Sequence, residues 1–202
     1  MDVVEQRLTR IMRGPLEELI DPAHQVCAHQ GIIARWWLPE DQSGALVEFG
    51  LPDDLLMQPE YQDGAEPRLA YATDSDRHEC GAVARCAAYD LGHWGANEFT
   101  PKMGVQMDQG RVLAFPSAVQ EPLLLSSSLT RFVSISWRWR AARDLMLNLP
   151  RVEWPFAEED VLAEYDQRES YARLILAEIE NIDPALPAEV ETPWHSLAVD
   201  IT

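Results

Sequence analysis

Between Met103 and Phe115 the sequence spells out a β-hairpin. Gly104-Val105-Gln106-Met107 runs into Asp108-Gln109-Gly110, and Arg111-Val112-Leu113-Ala114-Phe115 leads away until Pro116 ends the second strand. Gly110 suits the positive φ that a three-residue hairpin loop requires. Antiparallel pairing is thereby set in the middle of the chain, and what surrounds the hairpin decides the class. Helical patterns flank the strands at both ends and do not alternate with them, which predicts an α+β fold with a mainly antiparallel sheet.

Val4, Leu8, Ile11 and Met12 fall at helical spacing before Gly14-Pro15 interrupts, and a second turn through Leu16, Leu19 and Ile20 stops at Asp21-Pro22. The apolar run from Gly31 to Leu38 is too short for periodicity to separate a strand from the end of a helix. After Pro52 the chain turns polar and acidic as far as Ala82, and only Leu69 to Thr73 reads there as a strand. Ala82 to Leu91 is a better strand, which Gly92 is expected to close, and Leu123-Leu124-Leu125 is expected to be a short buried one. Ser126-Ser127-Ser128 offers hydroxyl caps to a helix starting near Leu129. That helix places Leu129, Phe132, Val133, Trp137, Ala141 and Leu145 on one stripe and Arg131, Arg138, Arg140 and Arg143 on its other face. A last helix starts among Ala157-Glu158-Glu159-Asp160, where acids favour the N-terminal end of the dipole, and runs through Tyr165, Ala172, Ile175, Leu176 and Ile179 to Asn181–Pro184.

No internal repeat or low-complexity linker divides the 202 residues, so a single domain over 1–202 is expected. An apolar fraction of 47% with seven tryptophans is enough to offset chain entropy in a packed core. No run approaches the roughly 20 apolar residues of a membrane span. The start of the chain lacks a basic region followed by an apolar one, so a cytoplasmic protein is expected. Cys27, Cys80 and Cys86 make an odd set without the dense, even spacing of a disulfide framework, and reduced thiols are expected.

Charge is more specific. Thirty-four acids against 16 basic residues leave a net charge of -18, which repels phosphate backbones and anionic membranes. A basic protein is the natural complement, with no nucleic acid and no membrane among the partners. By blocks the net charge is -4 over residues 1–50, -7 over 51–100, +3 over 101–150 and -10 over 151–202.

Catalytic chemistry finds few candidates. Ser126-Ser127-Ser128 lacks the flanking glycines of a nucleophile elbow. His24, Cys27 and His29 lie close together in sequence, as do His78, Cys80 and Cys86, and the two sets would make a zinc site only if they met in space, since neither has finger spacing. Asp53-Asp54 and the Asp74/Asp76 pair lack the order of a calcium loop and fit solvated loop charge. No phosphate cradle occurs. No catalytic residue, metal ligand or cofactor is therefore assigned. The tryptophans at 36, 37, 94, 137, 139, 154 and 194 fit core packing, with one or two available as interface anchors.

One order of signals runs along the chain: Gly50-Leu51-Pro52, Tyr89 to Gly92, Gly104-Val105 with Gly110-Arg111-Val112, Ser127-Ser128-Leu129 with Phe132, and Ile182-Asp183-Pro184 with Trp194. In that order and spacing the chain resembles the SUKH superfamily, most closely its fourth immunity-protein subfamily, over roughly residues 46–202, with a helical part over 1–45 that matches less well. The resemblance implies a strongly bent, mainly antiparallel sheet wrapped by N-terminal and C-terminal helices. It also implies a bacterial immunity protein, acting by binding, for a polymorphic toxin that is often a nuclease or nucleic-acid deaminase. It carries no catalytic motif. The acidic stretch from Asp53 to Glu79 is longer or more charged than that pattern requires, and variable loops on a rigid scaffold are where partner recognition tends to reside.

The expected partner-binding residues are accordingly Asp53, Asp54, Asp74, Asp76 and Glu79, with Glu158, Glu159 and Asp160 as a second patch. Two other classes remain open from the residues alone: an intracellular scaffold or regulator that binds another protein, and a zinc-dependent enzyme.

Overall fold

The computed structural model describes residues 2–39, 41–70, 87–95, 100–116, 121–150 and 158–200. They form helices α1 (Val3–Arg13), α2 (Gln30–Ile33), α3 (Ser43–Glu48), α4 (Leu129–Leu147), α5 (Glu158–Ile182) and α6 (Pro193–Asp200). Strands are β1 (Gln25–Val26), β2 (Leu51–Pro52), β3 (Met57–Pro59), β4 (Ala88–Trp94), β5 (Lys102–Gln106), β6 (Val112–Phe115) and β7 (Leu123–Ser126). The chain is α+β. It divides into two compact units, one of Ile20–Ser136 and one of Met1–Leu19 with Trp137–Thr202.

The first unit holds both sheets. β1 and β2 pair antiparallel, and β3-β4-β5-β6-β7 form a five-stranded sheet in chain order in which every pairing is antiparallel. Its hairpin is the one the sequence predicts: Val105 faces Val112, the Gly110 N–H donates to the Gln106 carbonyl at 2.9 Å, and Gly110 has φ 68°. β6 is buried along its whole length, so it reads as a continuous apolar run and not as an alternation. Ala88, Leu113 and Phe115 cluster on one side of the sheet with Leu69 and Leu124 against them.

Three strand expectations change. Gly92 does not close β4, which continues to Trp94; the register shifts between Asp90 and Gly92, and Gly92 sits at φ 112° where a Cβ would collide with the Gln58 carbonyl. It is a bulge glycine inside the strand. β3 was not legible, because three residues paired on one edge with burial only at Met57 carry no periodicity. β7 is half-buried and not buried, with Leu123 exposed and only Leu125 and Ser126 inside. Leu69 makes an isolated bridge to Ala88, and residues 71–86, including most of the strand expected over 69–73 and the start of that over 82–91, lie outside the described residues. The ambiguous run after Gly31 resolves as the end of α2 and a turn.

The serine caps appear as predicted. Ser128 Oγ accepts the Arg131 N–H at 3.3 Å at the start of α4, and buried Gln42 adds a cap the sequence did not suggest by accepting the Leu129 N–H at 2.9 Å.

The second unit is helical. Asp2 and Glu5 form a reciprocal capping box on α1, and Asp2 also accepts the Tyr171 hydroxyl of α5 at 2.8 Å. Those hydrogen bonds hold the Asp2 carboxyl below its usual range, while burial, followed by the bond to Asp2, pushes Tyr171 up to about 12. Arg13 at the end of α1 grips Glu178 of α5 through Nε at 2.9 and 3.0 Å. Trp139 and Trp194 meet edge-on with centroids 5.9 Å apart, which places the Trp194 signal in the core.

The stripe expected for α4 needs correction. Ile135, Ser136, Trp137, Arg138 and Trp139 are all buried, so the helix has no solvent face there. Arg138 belongs to this core. It donates from Nη1 to the Ile11 carbonyl at 2.6 Å and from Nη2 to the Gly14 carbonyl at 2.8 Å, completing the C-terminal end of α1, and burial lowers its pKa. A run of five buried positions cannot come from a one-faced helix, and its guanidinium stays inside because carbonyls receive it.

Candidate protein-binding surface

Asp53 and Asp54 sit on the loop between β2 and β3. The Asp53 N–H donates to the His24 carbonyl at 2.7 Å and its own carbonyl lies 3.0 Å from His24 Nδ1, which fixes the backbone and leaves the residue exposed. Asp54 is half-buried, and its Oδ1 accepts the N–H groups of Leu56 at 2.7 Å and Met57 at 3.1 Å. Such an Asx-type turn sets the direction of β3 and ties up much of that carboxylate's acceptor capacity. Asp74, Asp76 and Glu79 lie outside the described residues. Glu158 opens α5, followed by Glu159 and Asp160, both exposed. Asp53 with Asp54 and Glu159 with Asp160 thus lie in different units, on a short loop and on a helix N-terminus.

The two described imidazole candidates are occupied locally. His29 Nδ1 accepts the Gly31 N–H at 3.1 Å and caps α2, His24 is engaged with Asp53, and Cys27 is exposed with its thiol raised by partial burial. Among the described residues no group of histidines, cysteines or carboxylates could hold a metal ion. His78, Cys80 and Cys86 lie outside them. The cleft of about 360 Å³ at α2 and α3 is walled by Ile33, Ala34 and Val47 with Glu48 as its one ionisable lining residue. One carboxylate against apolar walls does not make an acid–base pair.

Trp36, Trp137, Trp139 and Trp194 are buried and Trp94 is half-buried, with Trp36 stacked on Tyr89 at 4.8 Å, whereas Trp37 is 69% exposed; Trp154 lies outside the described residues. The Trp37 backbone is held on both sides, by its N–H to the Tyr89 hydroxyl at 3.0 Å and its carbonyl from the Asp108 N–H at 3.0 Å. Tyr165, expected on the apolar stripe of α5, is also exposed, together with Val161 and Leu162.

The chain matches a known family model from residue 11 to residue 200, that of the SUKH-4 immunity proteins. The chain belongs to the SUKH-4 immunity protein family. The match begins far upstream of residue 46 and takes in the last turn of α1 as well as the sheets and the long helices. Membership makes the chain a non-enzymatic immunity protein of a polymorphic toxin system, whose task implies binding a cognate toxin. No curated protein and no solved structure matches the chain. Among the described residues, no helix is long and apolar enough to cross a membrane.

Proposed function

We propose that this SUKH-4 protein works in the cytoplasm by binding a basic toxin domain encoded beside it, one that attacks nucleic acid as a nuclease or deaminase, and so blocking its active cleft. The observation that carries the reading is the family match across residues 11–200. The net charge of -18 supplies the chemistry. A toxin acting on nucleic acid needs a positive cleft, and an acidic protein competes for it as a phosphate mimic, with steering worth about 10 to 1,000-fold in association rate at low salt.

The steering acids are Asp53, Asp54, Asp74, Asp76 and Glu79 in one patch and Glu158, Glu159 and Asp160 in the other. The exposure of Asp53, Glu159 and Asp160 supports their part in this, while the two N–H groups held by Asp54 favour a mainly structural role for that residue. The span of the family match supports reading 1–202 as one functional domain. The register shifts at Asp90/Gly92 and Val112/Leu113 support a strong bend in the sheet, because a bulge bends the strand that carries it.

The test is a titration of the purified protein with the toxin domain of the adjacent reading frame, at low and at physiological salt. A stoichiometric complex that weakens with salt is expected. No complex at low ionic strength rules the reading out.

A further inference from the structure

Large apolar side chains scattered singly on a surface need no explanation, but contiguous ones do. Val161, Leu162 and Tyr165 fall within five residues of α5 and are 40%, 57% and 53% exposed. At about 100° per residue they cover an arc of roughly 100° on the helix. Glu159 and Asp166 border one edge of that arc, Asp160 and Glu164 the other, and no lysine or arginine occurs between Glu158 and Gln167. The first basic residue, Arg168, is buried and donates to Glu164 at 2.8 Å and to the Met146 carbonyl at 3.3 Å.

The arc continues a stripe that is buried further along. Ala172, Ile175, Leu176 and Ile179 form the core-facing side of α5, and by the same 100° step Val161 and Tyr165 lie in line with them. The stripe therefore runs about two turns past Arg168, the last buried position on it. Alongside the exposed part opens a cleft of about 260 Å³ whose lining includes Val4, Leu149, Glu164 and Arg168. An apolar arc edged by acids fits a partner with an apolar patch and a basic rim. A second copy of this chain would set acids against acids.

We propose that the first half of α5 is the docking face for the basic toxin domain, with Val161, Leu162 and Tyr165 as the anchor and Glu159, Asp160 and Asp166 as the rim. This rests on the toxin-binding reading and adds the residues that hold the complex together. The anchor is desolvated on binding and governs dissociation; the rim acts before contact and governs association.

The experiment measures association and dissociation rates with the inactivated toxin domain of the adjacent reading frame. The Leu162→Ala/Tyr165→Ala variant is expected to bind about 100-fold more weakly, nearly all of it through faster dissociation. The Glu159→Lys/Asp160→Lys variant is expected to associate about 10-fold more slowly at low salt and to lose much of its salt dependence. Wild-type rates for both variants overturn the docking face while toxin binding stands, whereas no binding by the wild type ends both. A homodimer dissolved by Leu162→Ala/Tyr165→Ala with toxin binding intact would assign the arc to self-association and overturn the proposal. Amide exchange on the wild-type complex checks the site without a variant: slowed exchange over 159–167 supports it, and unchanged exchange overturns it.

Discussion

α4 and the first half of α5 are both long-helix segments rich in apolar and charged residues, and they use them in opposite ways. In α4 a guanidinium, that of Arg138, is enclosed with Trp137 and Trp139, whereas in α5 Val161, Leu162 and Tyr165 stand in solvent among carboxylates. The difference lies in what receives each group. Arg138 meets two carbonyls at the end of α1, which offset part of the cost of burying its charge; the α5 side chains meet no cover sufficient to remove them from water. A buried charge is here a fastening, and the apolar arc of α5 stays exposed.

The comparison is broken most sharply in the core of α4. Trp139→Ala removes the ring that meets Trp194 and should cost about 3–5 kcal/mol, read from urea unfolding. A loss under about 1 kcal/mol would mean that α4 is not the enclosed element described here. Next comes Arg138→Ala, which leaves the Ile11 and Gly14 carbonyls without their donor and should cost about 2–3 kcal/mol. Arg138→Lys should recover only part of it, because an ammonium cannot span both carbonyls with the planar fork of a guanidinium.

Within α5 itself, Glu178 distinguishes the inner half from the outer. The Arg13 hydrogen bond holds its folded carboxyl below the ordinary value of about 4.3, despite burial pulling it up. A lowered folded pKa contributes stability that is fully present above the unfolded value and lost as pH falls through the folded one. Glu178→Gln should therefore be less stable than wild type at pH 7, with the gap closing below about pH 4.3. A gap that stays constant between pH 7 and pH 3 would remove the ion pair as its cause. The smallest effect belongs to the outer half: Leu162→Ala and Tyr165→Ala should each shift stability by no more than about 0.5 kcal/mol. A cost near that of Trp139→Ala would show both side chains to be core.

Much of the scaffold could be read before any coordinates. The Asp108-Gln109-Gly110 turn, the stop of α1 at Gly14, the cap at Ser128 and the end of α5 near Asp183 all follow from signals confined to a few neighbouring residues. The candidate surface was legible only in part. Clustered acids marked Asp53, Glu159 and Asp160, but nothing local told the turn-forming carboxylate of Asp54 from the exposed Asp53. Nothing local separated Tyr165 from Ala172 on the same helical stripe either, because periodicity gives a direction and not what lies in it.

The sequence by itself determined the α+β class, the antiparallel hairpin, the serine cap of α4, the acidic balance and the family, since each depends on nearest neighbours, composition or their order. Only the tertiary structure decided that Gly92 sits at a register shift inside a strand instead of ending it, that Arg138 belongs to the core, and that the stripe of α5 runs on uncovered to Val161. Those outcomes depend on residues distant in the chain: the Gln58 carbonyl against Gly92, the Ile11 and Gly14 carbonyls against Arg138, and the point along α5 at which packing stops.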